Sequence, residues 1–467
     1  MRNVSVSRRR AVKLLALSGV AGLLAACGQQ QAPNVAPVAT RPATAAPAPA
    51  AAKPATSGAQ KHLTLMFVRP MLPLKWQQTY EKTNGVRIDF ENLDFSTFIA
   101  QTAAGDPPDA VRVQAPDIPG FALRGLLKDL TPYYQQATLT KLDDLAPSNK
   151  YFQFSGTSFG AGKYYGEVMD WSPDLSLFAN KKLFEKAGVP FPSDEKPMSY
   201  QEIFGLAAKL TQKVNGRTTV MGFAPVTLDE VIEAQLEELG KSLWSTDYTK
   251  ILLQDSDVQK SFKFFFDFDK ANTEYNVLNP VTTTAQDAFR KGQLAIIQSG
   301  YWFSAQAESP VTKGDAIMLP SPTWGPHHID PSVSATGPVV SAKTKQPDEI
   351  WKFLEWLHGS DPAIERAKNG WGVPGLKSLY KYMPTATSFQ KQVQKVLHNE
   401  LKLADTTVRY NPYIDQTQQV ALNPLLSSYY KYEESALRGQ MTLDEIFPKL
   451  QADVDSAVQH GLTLIKK

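Results

Sequence analysis

"HLTLMFVRPMLPLKWQQTYEKTNGVRIDFENLDFSTFIAQTAAGDPPDAVRVQ", residues 62–114, switches repeatedly between two apolar spacings. Residues 62–68 are a short continuous apolar run, the pattern of a strand covered on both faces. Residues 73–85 carry helical spacing and end at Gly85, a natural helix stop. Residues 86–93 alternate as a strand. Residues 96–105 form a second helix with Ser96 as the expected N-cap, and residues 109–114 a third strand. Strand–helix–strand–helix–strand is the order of an α/β fold, a parallel sheet with helices on its faces. Such sheets bind ligands beyond the carboxyl ends of their strands. Here the loops after the three strands begin near Arg69, Glu91 and Gln114.

The alternation continues. Residues 175–180, 294–300, 314–320 and 337–342 are strand-like, and 200–212, 228–239, 347–359 and 441–460 are helix-like. Thr442, with Glu445 three residues on, is a capping-box start for the last helix. The sum of these elements predicts two α/β lobes rather than a sandwich or a bundle.

The N-terminus has a different character. Arg2, Arg8, Arg9, Arg10 and Lys13 precede a 13-residue apolar run, 14–26, that ends at Cys27, the only cysteine. A membrane span needs about 20 apolar residues, so the run has the length of a signal-peptide core. Residues 7–13 resemble a twin-arginine signal, with Ala11 where Phe is usual, and residues 24–27 resemble a lipobox. The expectation is a signal over 1–26 and a lipid on Cys27 that holds the protein at a bacterial membrane from the outside. A 27–60 linker of mostly Ala, Pro, Gln and Thr follows, too poor in apolar residues to build a core. Residues 1–26 hold five basic and no acidic residues, so the rest carries 44 basic against 46 acidic side chains. That near-neutral body, without a basic tract, argues against nucleic acid as a partner.

Several segments resemble the extracytoplasmic solute-binding proteins of ABC importers, the group that includes maltose- and oligosaccharide-binding proteins. They are "AAGDPPDAVRV" (103–113), "GKYYGEVMDWSPDLSLFANKKLFEKAGVP" (162–190), "AFRKGQLAIIQSGYW" (288–302), "ATGPVVSAKTKQPDEIWKFLEWL" (335–357) and "WGVPGLKSL" (371–379), in the family's order. Val168, Ile296 and Ala179 depart from the residues common at their positions. The resemblance implies a two-lobed periplasmic-binding-protein fold with a ligand cleft between the lobes. One lobe is expected over 61–166 and 325–372, the other over 167–324 and 373–467, with crossings near Gly166, near Trp324 and in the 370s. It implies a receptor that closes by hinge motion on a small-molecule solute and delivers it to ABC permease subunits.

Aromatic plates beside scattered polar groups favour a carbohydrate, by the logic of pockets that combine apolar faces with a few fixed polar side chains. The candidate ligand residues are Asp170 and Trp171, between two strand-like segments; Tyr301 and Trp302, after a strand, with Trp302 at the family's Gly-x-Trp position; Trp324; Trp371, between two glycines; and Tyr410 and Tyr413. In the first lobe they are Arg69, Glu91, Gln114, Asp117 and Gly337. Several have a structural alternative: a mutual ion pair for Arg69 and Glu91, a cap or turn for Asp170, hinge or lobe packing for Trp171 and Trp324, burial for Tyr301. Trp351 and Trp356 read as helix packing.

The alternatives in function are a polyol, a glycerophosphodiester or a polyamine as the solute, or a secreted glycan-processing enzyme drawing a carboxylate pair from Glu91, Asp117 and Asp170. No hydrolase, zinc-protease or phosphate-loop motif accompanies those acids. His327-His328 with Asp330 is read as a solvated loop rather than a metal site. No cofactor and no enzymatic role are expected.

Overall fold

The computed structural model describes residues 61–271, 278, 283–416 and 423–465. The expected signal, Cys27 and linker lie outside the described residues, as does most of 272–282. The chain opens with strands β1 (Lys61–Met66), β2 (Val86–Phe90) and β3 (Ala110–Gln114). β1 pairs in parallel with both of the others. Leu63, Leu65 and Met66 are fully buried, so the continuous apolar run reflects cover on both faces. The helix Leu74–Asn84 closes at Gly85, whose φ of 65° is the left-handed conformation that glycine adopts without penalty. The next helix, Phe95–Ala104, starts earlier than expected. Its cap is Asp94 rather than Ser96, and the Asp94 carboxylate accepts from the Thr97 amide at 2.6 Å.

A small hairpin, β4 (Gln153–Phe154) with β5 (Lys163–Tyr164), leads to β6 (Asp170–Trp171). The chain then builds a second sheet from β7 (Leu177–Asn180), β8 (Gln212–Val214), β9 (Arg217–Ala224), β10 (Leu294–Gln298) and β11 (Ala316–Leu319), in the order β11-β7-β10-β9-β8. It returns with β12 (Thr336–Val340) and β13 (Val373–Pro374), which complete a first sheet ordered β13-β6-β12-β3-β1-β2. That sheet is parallel only across β2, β1 and β3; β12, β6 and β13 pair antiparallel. Gly166 bridges to Val339, and Asp170 and Trp171 pair with β12 and β13. First-sheet pairing therefore runs past residue 166, and the chain passes to the second sheet between Trp171 and Leu177.

Each sheet is sealed by helices. Ile350, Phe353, Leu354 and Leu357 of helix Pro347–Gly359 share a core with Leu63, Leu65, Val86 and Ile88. Trp351 and Trp356 belong to that packing, Trp356 edge-on to Trp76 with centroids 6.3 Å apart. In the second lobe the helix Tyr200–Leu210, capped reciprocally by Ser199 and Glu202, lies against β9. Gly222 permits the approach, since a Cβ there would sit 2.1 Å from the Ala207 carbonyl oxygen. The last helix, Leu443–Ile465, has the expected start: Glu445 Oε2 accepts from the Thr442 amide at 2.6 Å, and Thr442 Oγ1 from the Glu445 amide at 3.3 Å. No described helix is long and apolar enough to cross a membrane.

Candidate ligand cleft

The loops at the ends of both sheets converge on a cleft of about 480 Å³, within the usual range of ligand pockets. One wall comes from the first sheet: Val68 after β1, Arg112 and Gln114 on β3, Asp170 on β6 and Thr336 on β12. The other comes from the second sheet: residues 225–227 after β9, residues 297–300 at the end of β10, and Trp302. Arg366 and Trp371, just before β13, complete the first wall.

Of the residues expected from sequence, Gln114, Asp170, Trp302 and Trp371 line this cleft. Trp302 is half-buried, and Trp371 is 42% exposed between Gly370 and Gly372. Asp170 accepts from Arg366 Nε at 3.1 Å and from Nη2 at closer range. This pair is mostly buried, so the guanidinium and carboxylate hold each other in place along the wall.

The remaining candidates lie elsewhere. Trp171 is 2% exposed and its Nε1 donates to the Pro374 carbonyl at 3.1 Å, which makes it core rather than a ligand plate. Tyr301 is also buried. Its hydroxyl accepts from Gln394 Nε2 at 3.1 Å, and burial pushes its pKa up to about 12. Trp324 packs edge-on against Phe264, 5.3 Å between centroids, and its amide donates to Glu238 Oε2 at 2.7 Å. Gly337 lies inside β12, where a Cβ would fall 1.9 Å from the Glu167 carbonyl oxygen; its role is strand packing, not ligand approach. Tyr410 is buried and donates to the Val333 carbonyl at 3.2 Å. Tyr413 and Asp117 share a separate hollow beneath the last helix. Asp117 there accepts from the Gln114 amide at 2.8 Å, and burial raises its pKa to about 7. Glu91 accepts from Gln101 Nε2 at 3.0 Å, and Arg69 stacks 3.9 Å from the Phe90 ring centroid while donating to Gln77. Arg69 and Glu91 thus take separate partners, and neither lines the cleft. Glu91, Asp117 and Asp170, the acids from which a catalytic pair was considered, occupy three different environments. His328 Nε2 sits 2.8 Å from Ser321 Oγ, while His327 is exposed.

Other cleft residues escaped the sequence reading. Arg112 projects from β3, where its Nη2 donates to Thr336 Oγ1 at 3.3 Å and its buried Nε has no hydrogen-bond partner. Burial lowers the Arg112 pKa, against the pull of Asp117 and Asp170. An arginine inside the buried strand "DAVRVQ" was the available signal. Arg366, on helix Asp361–Asn369, had no local signal, because its partner Asp170 is far away in sequence. Ser299 Oγ, at the end of β10, is likewise buried without a partner. Asp174 also reaches the cleft, but Ser172, Ser332, Val333 and Ser334 all donate to it, so it fastens the crossing segment rather than facing a ligand. Glu230, buried in the first turn of helix Leu228–Glu238, stands where a negative charge meets the positive end of the helix.

An apolar-walled cleft with two indoles, an ion pair and buried polar atoms lacking partners is suited to capturing a polar, uncharged solute. Comparison with known proteins agrees on the architecture. An ABC substrate-binding protein of Listeria monocytogenes, solved in complex with cycloalternan, superposes with a TM-score of 0.68 at 18% identity, over 85% of this chain and 98% of that one. A solute-binding protein of Thermotoga lettingae bound to α-D-tagatose gives 0.65 at 18% identity, over 85% and 100% of the two chains. The sugar-binding protein MalE of Xanthomonas citri gives 0.63 at 17% identity, over 87% and 100%. The profile of one family, the bacterial extracellular solute-binding proteins, matches residues 71–363. That match spans more than half of the sequence, and the chain belongs to this family.

Proposed function

We propose that the protein captures a carbohydrate, an oligosaccharide in particular, between its lobes and hands it to the permease of an ABC importer. The observation that carries this reading is the pairing of Trp302 on one wall with Trp371 on the other, beside Arg112, Gln114, Asp170, Ser299 and Arg366. Indole faces match the C–H faces of sugar rings, and the polar groups match their hydroxyls. Crossing segments near residues 172–176, 320–335 and in the 370s supply the hinge, so that a bound sugar would be enclosed by lobe closure. The same reading makes residues 1–26 a cleaved signal and residues 27–60 a tether from a lipidated Cys27, with the body working outside the cytoplasmic membrane. A single acyl chain anchors only marginally, so Cys27 would carry more than one.

The test is to titrate the purified protein with mono- and oligosaccharides, follow tryptophan fluorescence, and recover each sugar afterwards. Saturable binding of an intact oligosaccharide supports the proposal. Recovery of a cleaved sugar overturns it in favour of an enzyme. Binding confined to polyols, glycerophosphodiesters or polyamines overturns the carbohydrate assignment while leaving a solute receptor.

A further inference from the structure

Behind the first wall of the cleft lies a second compartment, a chamber of about 290 Å³. It shares Pro70, Met71, Asp170, Arg366 and Trp371 with the cleft, so one turn, the ion pair and one indole form the partition between them. The rest of its lining is largely apolar, supplied by the start of helix Leu74–Asn84 and by helices Pro347–Gly359 and Asp361–Asn369. Two buried polar side chains interrupt that lining. Glu167 and His358 are 1% and 4% exposed, and His358 Nδ1 is 3.1 Å from Glu167 Oε2 without hydrogen-bonding alignment. His358 Nε2 and the Trp76 indole Nε1, on a third lining residue, are buried with no hydrogen-bond partner, whereas the Glu167 carboxylate has both His358 and Thr140 beside it. Buried polar atoms are nearly always paired, and two orphans around one cavity mark a place built to receive a partner.

We propose that this chamber is a side subsite of the cleft that receives an uncharged, hydroxyl-bearing end group of the solute, with its carbon face against the indoles and a hydroxyl on His358 Nε2. The proposal rests on the reading of the cleft as a sugar site. A hydroxyl both donates and accepts, which fits an imidazole nitrogen in either tautomer. A cationic end group finds no free carboxylate, since Asp170 is paired with Arg366, Glu365 with Lys75 and Glu167 with His358, and an anionic one faces those same acids. A neutral group meets neither obstacle.

Trp76 lines the chamber and not the cleft, whereas Trp302 lines the cleft and not the chamber. The protein labelled with 5-fluorotryptophan therefore reports on the two compartments separately by fluorine NMR. The probe is trans-1,4-cyclohexanediol, which has apolar faces and a hydroxyl at each end. The expected result is a saturable shift of the Trp76 resonance. His358→Phe is expected to weaken the probe by about tenfold, the loss of one hydrogen-bonded contact, and Ala363→Phe, which fills the chamber, to abolish the shift. Thermal unfolding checks that both variants fold. The proposal fails if the wild-type Trp76 signal does not respond, if folded variants respond like the wild type, or if cyclohexylamine shifts Trp76 while the diol does not. Mannotriose is the control: a shift of Trp302 alone leaves the cleft reading standing and sinks the chamber, whereas a diol response at Trp76 with no saccharide response at Trp302 keeps the chamber and removes the cleft reading.

Discussion

Asp170-Trp171 on one wall and Tyr301-Trp302 on the other are adjacent pairs that split in opposite ways. In the first, the acid lines the cleft and the indole is sealed in the core; in the second, the phenol is sealed and the indole lines the cleft. On β6 the cause is strand geometry, since neighbouring side chains leave opposite faces of a sheet. After β10 the chain enters a short 3₁₀ turn at Tyr301–Phe303, which sends Tyr301 and Phe303 inward and leaves Trp302 at the surface of the cleft. Two aromatic loops that look equivalent in composition therefore do different work. Trp171 ties β6 to β13, and Trp302 lines the cleft.

The sharpest way to break this contrast is Trp171→Ala. A fully buried indole that also donates a hydrogen bond should cost about 3–5 kcal/mol in urea unfolding, whereas Trp302→Ala, at a half-buried position, should cost under about 1 kcal/mol. Equal losses would erase the distinction.

Asp117, in the hollow away from the cleft, gives the next largest effect. Its folded pKa, raised to about 7, exceeds its unfolded value, so the native state holds a proton that the unfolded chain gives up first. Stability is therefore expected to fall as pH rises from about 4 to 7 and then level off, by at most on the order of 4 kcal/mol from this group. Asp117→Asn should remove that component. The variant would be more stable than wild type at pH 8 and equal to it near pH 4, with saccharide binding unchanged. An unaltered pH profile would contradict the burial argument. Tyr301→Phe is the smallest: loss of the hydroxyl that accepts from Gln394 should cost about 1 kcal/mol in unfolding and leave affinity as it was. A binding defect would mean that Tyr301 reaches the solute.

The same contrast explains what could be read from the sequence. Apolar periodicity and stop signals located β1 to β3, the Gly85 helix end and the Thr442–Glu445 start, because those features are local. The β8–β9 hairpin was overlooked although its Asn215-Gly216 turn, with φ of 51° and 73°, is a hairpin signal. The candidate site was legible as a set of loops but not as a set of side chains. Gln114, Asp170, Trp302 and Trp371 reach the cleft, whereas Trp171, Tyr301, Trp324 and Tyr410 are taken up by packing. Aromatic residues beside a strand serve a core as readily as a ligand, and the choice depends on the face each one leaves. Arg112 and Arg366 were missed for a related reason. Their meaning comes from Thr336 and Asp170, partners that only the folded sheet brings near.

The most direct measurement is the affinity of the best-bound saccharide for Trp302→Ala and for Trp171→Phe, side by side, with folding checked in both. Trp302→Ala is expected to lose binding by at least about tenfold, the scale of one stacking contact of about 1.4 kcal/mol, and Trp171→Phe to stay close to wild type. The reverse order, with Trp302→Ala binding normally and Trp171→Phe impaired, would contradict the placement of the solute between the two walls.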